Sequence, residues 1–178
     1  MVISNKYKFV FIEIPKTATT SITNGLARAF GRNNLELIKT NERHCTLERC
    51  LSVNPHVVNF KKFLFVRNHW DIATSFYLFE KSLGKHNLEF CDWIKDWYIN
   101  QTSWMYPSVN FIGRYENLQE DFNLIVERLG GKQTFLKKIN TSENRDRNYK
   151  EFYTENTKEI LFNNCNADIN RLGYNFNF

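Results

Sequence analysis

"FIEIPKTATTSITNGLARAF", from Phe11 to Phe30, decides the fold, because it joins two kinds of secondary structure through a tight turn. The apolar, β-prone run before the proline predicts a short buried strand over residues 8–14. Beyond the small residues, Ile22, Leu26 and Phe30 recur at every fourth position. That spacing is the apolar stripe of a helix packed on a sheet. The stretch therefore predicts a strand, a turn and a helix.

The turn itself is suited to binding an anion. Backbone N–H groups in the first turn of a helix have no intrahelical partner and lie at the positive end of the helix dipole. Lys16 adds a positive charge. Small side chains let an anion approach the backbone, and five of them are consecutive: Thr17, Ala18, Thr19, Thr20 and Ser21. The alternative is that these residues merely cap the helix, although a cap needs one of them and no lysine.

Length and composition predict one globular domain over residues 1–178. The 178 residues carry a net charge of +5, and the sequence pI is about 9.0, which suits an anionic ligand. The basic runs "FKKF" and "FLKKI" are too short to bind a nucleic-acid duplex, so we expect no nucleic-acid partner.

Cysteine spacing and hydropathy exclude further classes. The four cysteines form no CxxC pair and no zinc-finger spacing, so we expect reduced thiols and no metal site. The sequence contains neither a signal-peptide pattern nor an apolar run of about 20 residues. We therefore expect a soluble, cytoplasmic protein with no membrane insertion.

Strand and helix signals alternate along the chain, which predicts an α/β fold with a largely parallel central sheet. Further strands are expected at three places: residues 35–39, 61–67 and 109–118. Further helices are expected at five places: residues 45–53, 70–83, 87–99 with Asn87 as cap, 119–129 stopped by Gly130 and Gly131, and 154–164.

A second strand-to-helix junction, "FLFVRNHWDIATSFY", repeats the logic of the first. Arg67 stands at the carboxyl end of the strand, where ligands of open α/β sheets bind, and Ser75 lies about two turns into the helix. A guanidinium and a hydroxyl can share one phosphate. The alternative is that Arg67 pairs with Asp71. Two anion sites on adjacent strands fit a ligand with phosphates at both ends.

These segments resemble the cofactor motifs of sulfotransferases. "PKTATTS" resembles their 5′-phosphosulfate loop, and "FVRNHWDIATSFY" resembles their 3′-phosphate motif, with His69 where the family usually has proline. "IGRYENLQEDFNLIVERLG" and the end of the chain resemble later blocks of the carbohydrate sulfotransferase superfamily. Within it, the loop is most similar to that of heparan sulfate (uronyl) 2-O-sulfotransferases.

The resemblance implies a donor, a fold and a set of roles. The donor is 3′-phosphoadenosine 5′-phosphosulfate (PAPS), the product is PAP, and the fold is a three-layer, P-loop-like α/β with helices flanking the sheet. The acceptor is a hydroxyl, expected on a carbohydrate. Lys16 is catalytic and, with the loop to Ser21, binds the phosphosulfate, while Arg67 and Ser75 bind the 3′-phosphate. No metal is implied, and no GxxxxGK[ST] pattern for ATP or GTP occurs.

The acceptor hydroxyl needs a base, for which His44 in "NERHCTLER" resembles the catalytic histidine of the 2-O-sulfotransferases. An imidazole with a reference pKa of about 6.5 accepts a proton near neutral pH more readily than a carboxylate at about 4. The competing candidates are Glu13, His69 and His56. Without the resemblance, His44 would be interpreted as an exposed loop histidine.

Two other functions remain open from the sequence. One is a small-molecule kinase that uses the same loop with ATP, and the other is a non-catalytic module that binds a nucleotide or polyanion. Aromatic side chains at helical spacing are candidates to line a sugar cleft, although such residues are more often core. They are Tyr77, Trp93, Trp97 and Trp104.

Overall fold

The chain forms two compact units. The computed structural model describes residues 1–37, 44–106, 108–137, 139 and 148–178. The first unit, which we call the sheet unit, comprises Met1–Val66 and Ser103–Ile139. The second, the helical unit, comprises residues 67–102 and 140–178. A single domain over the whole chain stays a prediction.

The sheet unit is built on a mixed five-stranded sheet. Its strands are β1 (Val2–Ser4), β2 (Phe9–Ile12), β3 (Glu36–Leu37), β4 (Lys61–Val66) and β5 (Phe111–Arg114). The spatial order is β3-β1-β2-β4-β5. The predicted α/β class is confirmed, and β2, β4 and β5 are parallel neighbours. The sheet is mixed because β1, which the sequence did not indicate, runs antiparallel to both β2 and β3.

Six α-helices accompany the strands in the described residues. They are α1 (Thr19–Phe30), α2 (Leu47–Val53), α3 (His69–Ser82), α4 (Phe90–Trp93), α5 (Leu118–Arg128) and α6 (Glu155–Leu172). Helices α1, α2, α3 and α5 lie where the sequence predicts them. Within the described ranges, no helix has the length and apolar character needed to cross a membrane.

Two helices differ from their predictions. Helix α4 is shorter than expected and continues as a 3-10 turn, and its N-cap is Glu89 rather than Asn87. Helix α6 is longer than expected, because the chain kinks at Cys165 (φ −121°) and then resumes its helical course. The resumed turns bury Ile169 and Leu172, so packing extends the helix past its local breaker.

A large aromatic cluster of the sheet unit lies on one face of the sheet. Phenylalanines from β2 and β4 meet there, and the rings of Phe11 and Phe63 stack with centroids 5.1 Å apart. The predicted stripe of α1, Ile22, Leu26 and Phe30, packs against them and is confirmed. The intervening side chains of β2 and β4 are also fully buried, so both faces of these central strands are covered.

Gly113 in β5 should be sensitive to substitution. A Cβ at this position would lie 2.4 Å from Cε1 of Phe65, which is fully buried. Overpacking of this kind costs about 1–3 kcal/mol, so we expect Gly113→Ala to lower Tm by roughly 2–12 °C. Calorimetry measures the Tm of both this variant and Ile112→Ala. The second variant is the control, because the neighbouring side chain of Ile112 is 48% exposed. Equal Tm values for the two variants would contradict the close packing.

Candidate functional site

The loop after β2 is held in an unusual backbone conformation. Lys16 (φ 64°) and Ala18 (φ 63°) are both left-handed, which is uncommon for residues other than glycine. Thr17 between them is fully buried, and its hydroxyl donates to the carbonyl of Ile14 at 2.8 Å. Such a conformation persists where the surroundings fix it, as here, and it is enriched at ligand sites.

The N-terminus of α1 has no side-chain cap. Its N-cap is Ala18, which has no acceptor atom, and the first intrahelical bond runs from the Ile22 N–H to the Ala18 carbonyl at 3.0 Å. The N–H groups of Thr19, Thr20 and Ser21 precede that bond. The alternative interpretation was that the threonines and the serine merely cap the helix. It is wrong for the N-cap position, which alanine occupies. The positive end of the helix dipole lies beside Lys16 in sequence.

His44 lies at the end of β2, close to this loop in the sheet unit. Its Nδ1 is 2.9 Å from the carbonyl oxygen of Glu13, three residues before Lys16. Because a carbonyl only accepts, Nδ1 donates, and the neutral ring then has its basic lone pair on Nε2. His44 is half-buried rather than exposed. The Glu13 carbonyl therefore favours the neutral tautomer that carries its hydrogen on Nδ1.

The competing carboxylate of Glu13 is engaged at both oxygens. Oε2 pairs with the amino group of Met1, and Oε1 accepts a hydrogen bond from the hydroxyl of Thr23 at 3.2 Å. The side chain is buried as well.

Arg67 and Ser75 belong to the helical unit. The Arg67 guanidinium donates through Nε and Nη2 to the two carboxylate oxygens of Asp71, each at 2.7 Å. The pairing that the sequence allowed as an alternative is therefore confirmed, and it fixes the plane of the guanidinium of Arg67, a residue that is 3% exposed. Ser75 lies half-buried in α3. The 3′-phosphate role of both residues stays a prediction.

A buried hydrogen-bond network that the sequence did not reveal holds the Arg67 main chain. The Arg67 N–H donates to Gln101 Oε1 at 2.9 Å, and Gln101 Nε2 donates to the Arg67 carbonyl at 2.7 Å. Asp168 accepts from His69 Nε2 and the Gln101 N–H, both at 2.7 Å, and from the Thr102 N–H at 2.9 Å. Burial acts to raise the pKa of Asp168, but these hydrogen bonds outweigh it and hold the pKa below its ordinary 3.8.

The other candidate bases and the aromatic candidates for a sugar cleft are either packed in the protein or lie on its surface. His69 is fully buried against Asp168, and His56 is exposed. Tyr77 is a core residue, because its hydroxyl donates to the Leu88 carbonyl at 3.1 Å and its ring packs on Trp93. The other tryptophans named above are half-buried, Trp97 in the helical unit and Trp104 in the sheet unit.

The structure forms no disulfide among the four cysteines. All four are unpaired, as the sequence predicts. Burial raises the pKa of the Cys50 and Cys165 thiols to about 11. Both thiols therefore stay protonated and weakly nucleophilic near neutral pH.

Comparison with known proteins gives a relative whose activity is not described. No protein-family model and no solved structure matches the chain. An uncharacterized protein of Archaeoglobus fulgidus is 31% identical over 105 aligned positions, which cover 49% of this chain and 81% of the archaeal one. At that identity and coverage, this chain belongs to the same family as the archaeal protein.

Proposed function

We propose that the protein is a sulfotransferase that moves a sulfuryl group from PAPS to a hydroxyl of a carbohydrate. The observation that carries the proposal is the loop between β2 and α1, where Lys16 precedes a helix N-terminus that no side chain caps. Such a terminus binds an anionic group through its N–H donors and its dipole. The resemblance of "PKTATTS" to the phosphosulfate loop names the anion, and the three-layer, P-loop-like fold is part of the same proposal.

The roles follow from the chemistry of sulfuryl transfer. The acceptor oxygen attacks sulfur in line, the bond from sulfur to the 5′-phosphate oxygen breaks, and PAP leaves. His44 Nε2 takes the proton of the acceptor hydroxyl. Lys16 stabilises the bridging oxygen as negative charge grows on it, and the N–H groups at the start of α1 hold the phosphosulfate.

Arg67 and Ser75 are assigned to the 3′-phosphate. The fork between Arg67 and Asp71 keeps the guanidinium in one orientation, so less conformational freedom is lost when an anion binds. This assignment distinguishes a sulfotransferase from a kinase, since ATP has no 3′-phosphate.

Binding of PAP tests the proposal. At about 100 times its Kd, a ligand stabilises the native state by about 2.7 kcal/mol. For a chain of this size we expect Tm to rise by about 5–11 °C. The Tm is measured with PAP and, separately, with ATP and Mg²⁺. Absence of a Tm shift at saturating PAP would contradict the donor assignment. A larger shift with ATP and Mg²⁺ would favour the kinase.

Turnover is tested separately from binding. Transfer of radiolabelled sulfate from PAPS to a panel of glycans measures it directly. Label in a glycan supports the enzyme and identifies the acceptor class. Binding of PAP without transfer to any glycan of the panel would favour the non-catalytic module.

A further inference from the structure

The side chain of Gln101 pairs with both main-chain groups of Arg67. Its amide oxygen accepts from the Arg67 N–H at 2.9 Å, and its amide nitrogen donates to the Arg67 carbonyl at 2.7 Å. Gln101 is fully buried. A primary amide used in this way replaces the peptide group of a neighbouring strand, so it fixes the backbone of one residue at the end of β4.

Asp168 in turn fixes Gln101. The carboxylate accepts the main-chain N–H of Gln101 at 2.7 Å and that of Thr102 at 2.9 Å. It also accepts from His69 Nε2, two residues after Arg67, at 2.7 Å. One buried anion therefore ties the Gln101 backbone to the segment that begins with Arg67, and Asp168 itself is 4% exposed. Buried networks with paired members hold a single geometry.

We propose that Gln101, anchored by Asp168, is a positioning residue for the 3′-phosphate site. It acts through the Arg67 backbone, which sets where the guanidinium stands relative to the phosphate. The inference rests on the proposed function, because it takes Arg67 as a phosphate ligand. Charge-assisted forks need donor–acceptor distances of about 2.7–2.9 Å. A small displacement of the Arg67 main chain therefore weakens the contact.

The test measures phosphate preference rather than stability. The Kd values of adenosine 3′,5′-bisphosphate and adenosine 5′-monophosphate are determined by calorimetry. The Kd of the monophosphate divided by the Kd of the bisphosphate is the ratio that reports the 3′-phosphate contact. Gln101→Met has nearly the same shape but neither hydrogen-bonding group. We expect it to reduce the ratio by about tenfold, which corresponds to the loss of one hydrogen bond to a charged group. Its affinity for the monophosphate should change far less, and Arg67→Ala gives the ratio for complete loss.

Asn164 offers a matched control in the same unit. Its amide nitrogen also holds main-chain groups, the carbonyls of Lys95 and Trp97, each at 3.1 Å. Asn164→Leu should lower stability and leave the ratio unchanged. If Gln101→Met is unfolded at the assay temperature, Gln101→Asn replaces it, because its amide is one methylene group too short to reach both main-chain groups of Arg67.

The outcomes separate the two proposals. A native protein that binds both nucleotides equally contradicts the proposed function. A native preference that the Gln101 variants retain overturns the positioning role alone. Equal weakening of both nucleotides overturns it as well, since a purely structural residue would act in that way.

Discussion

His44→Ala is expected to lower turnover by about 10²–10⁴-fold and to leave the affinity for PAP almost unchanged, as loss of a general base does. The hydrogen bond from Nδ1 to the Glu13 carbonyl favours the tautomer with its lone pair on Nε2, which is the atom that the proposal assigns as proton acceptor. Removal of the ring takes away that acceptor but none of the N–H groups at the start of α1. The kcat of sulfate transfer at saturating PAPS and the Kd of PAP measure the two effects separately.

Two further variants test whether the effect belongs to His44. His56→Ala removes an exposed histidine of the same unit and should retain full turnover. Glu13→Gln removes the competing carboxylate but keeps the main-chain carbonyl that orients His44. Near-normal turnover of His44→Ala together with an inactive Glu13→Gln would transfer the role to Glu13.

Lys16→Ala is expected to lower kcat at saturating PAPS by about 10²–10³-fold, which is the usual cost of one lost electrostatic stabiliser of a transition state. Negative charge on the bridging oxygen grows as the bond to sulfur breaks, so the ammonium contributes more to the transition state than to the bound ground state. Lys16→Arg keeps the charge and should retain more of the rate. Steady-state kinetics with varied PAPS separates kcat from KM.

Lys8 provides the control for backbone strain. It is also a lysine with a left-handed backbone (φ 55°), and it is exposed in the turn between β1 and β2. Lys8→Ala therefore makes the same chemical change in the same conformation, and we expect it to leave kcat unchanged. If Lys16→Ala raised only the Kd of PAPS, with kcat intact, the role of Lys16 in the chemical step would be wrong.

The parts of the fold that local pattern determines were predictable. The strand ending before Pro15, the α1 stripe and helix α3 all follow from hydrophobic periodicity, and the structure has them. Strand β1 was missed because three residues are too few to show alternation, and only pairing with β2 makes them a strand. The extension of α6 past Cys165 was missed because burial outweighs the poor helix propensity of its asparagines.

The candidate site, like the fold, was predictable only in its local parts. The loop with Lys16 was visible because small residues and a lysine between a strand and a helix form a local pattern. The left-handed backbone at Lys16 and Ala18 was not, because tertiary contacts impose it on residues that do not favour it. The pairing of Gln101 with Arg67 was equally hidden, since it joins distant residues through an amide that no short motif marks.

The two strands that pair with β2 lie at very different distances along the chain, which affects the order of folding. Its antiparallel partner β1 is joined to it by the turn Asn5–Lys8, whereas the parallel pair Phe9 and Lys61 is separated by about 50 residues of chain. Hairpins close in about 1–10 µs, and pairing of distant strands is slower. We infer that the loop after β2 is tethered to an early hairpin but acquires its final shape late. We expect the proposed anion binding to arise with the slow parallel pairing rather than with the first collapse of the chain.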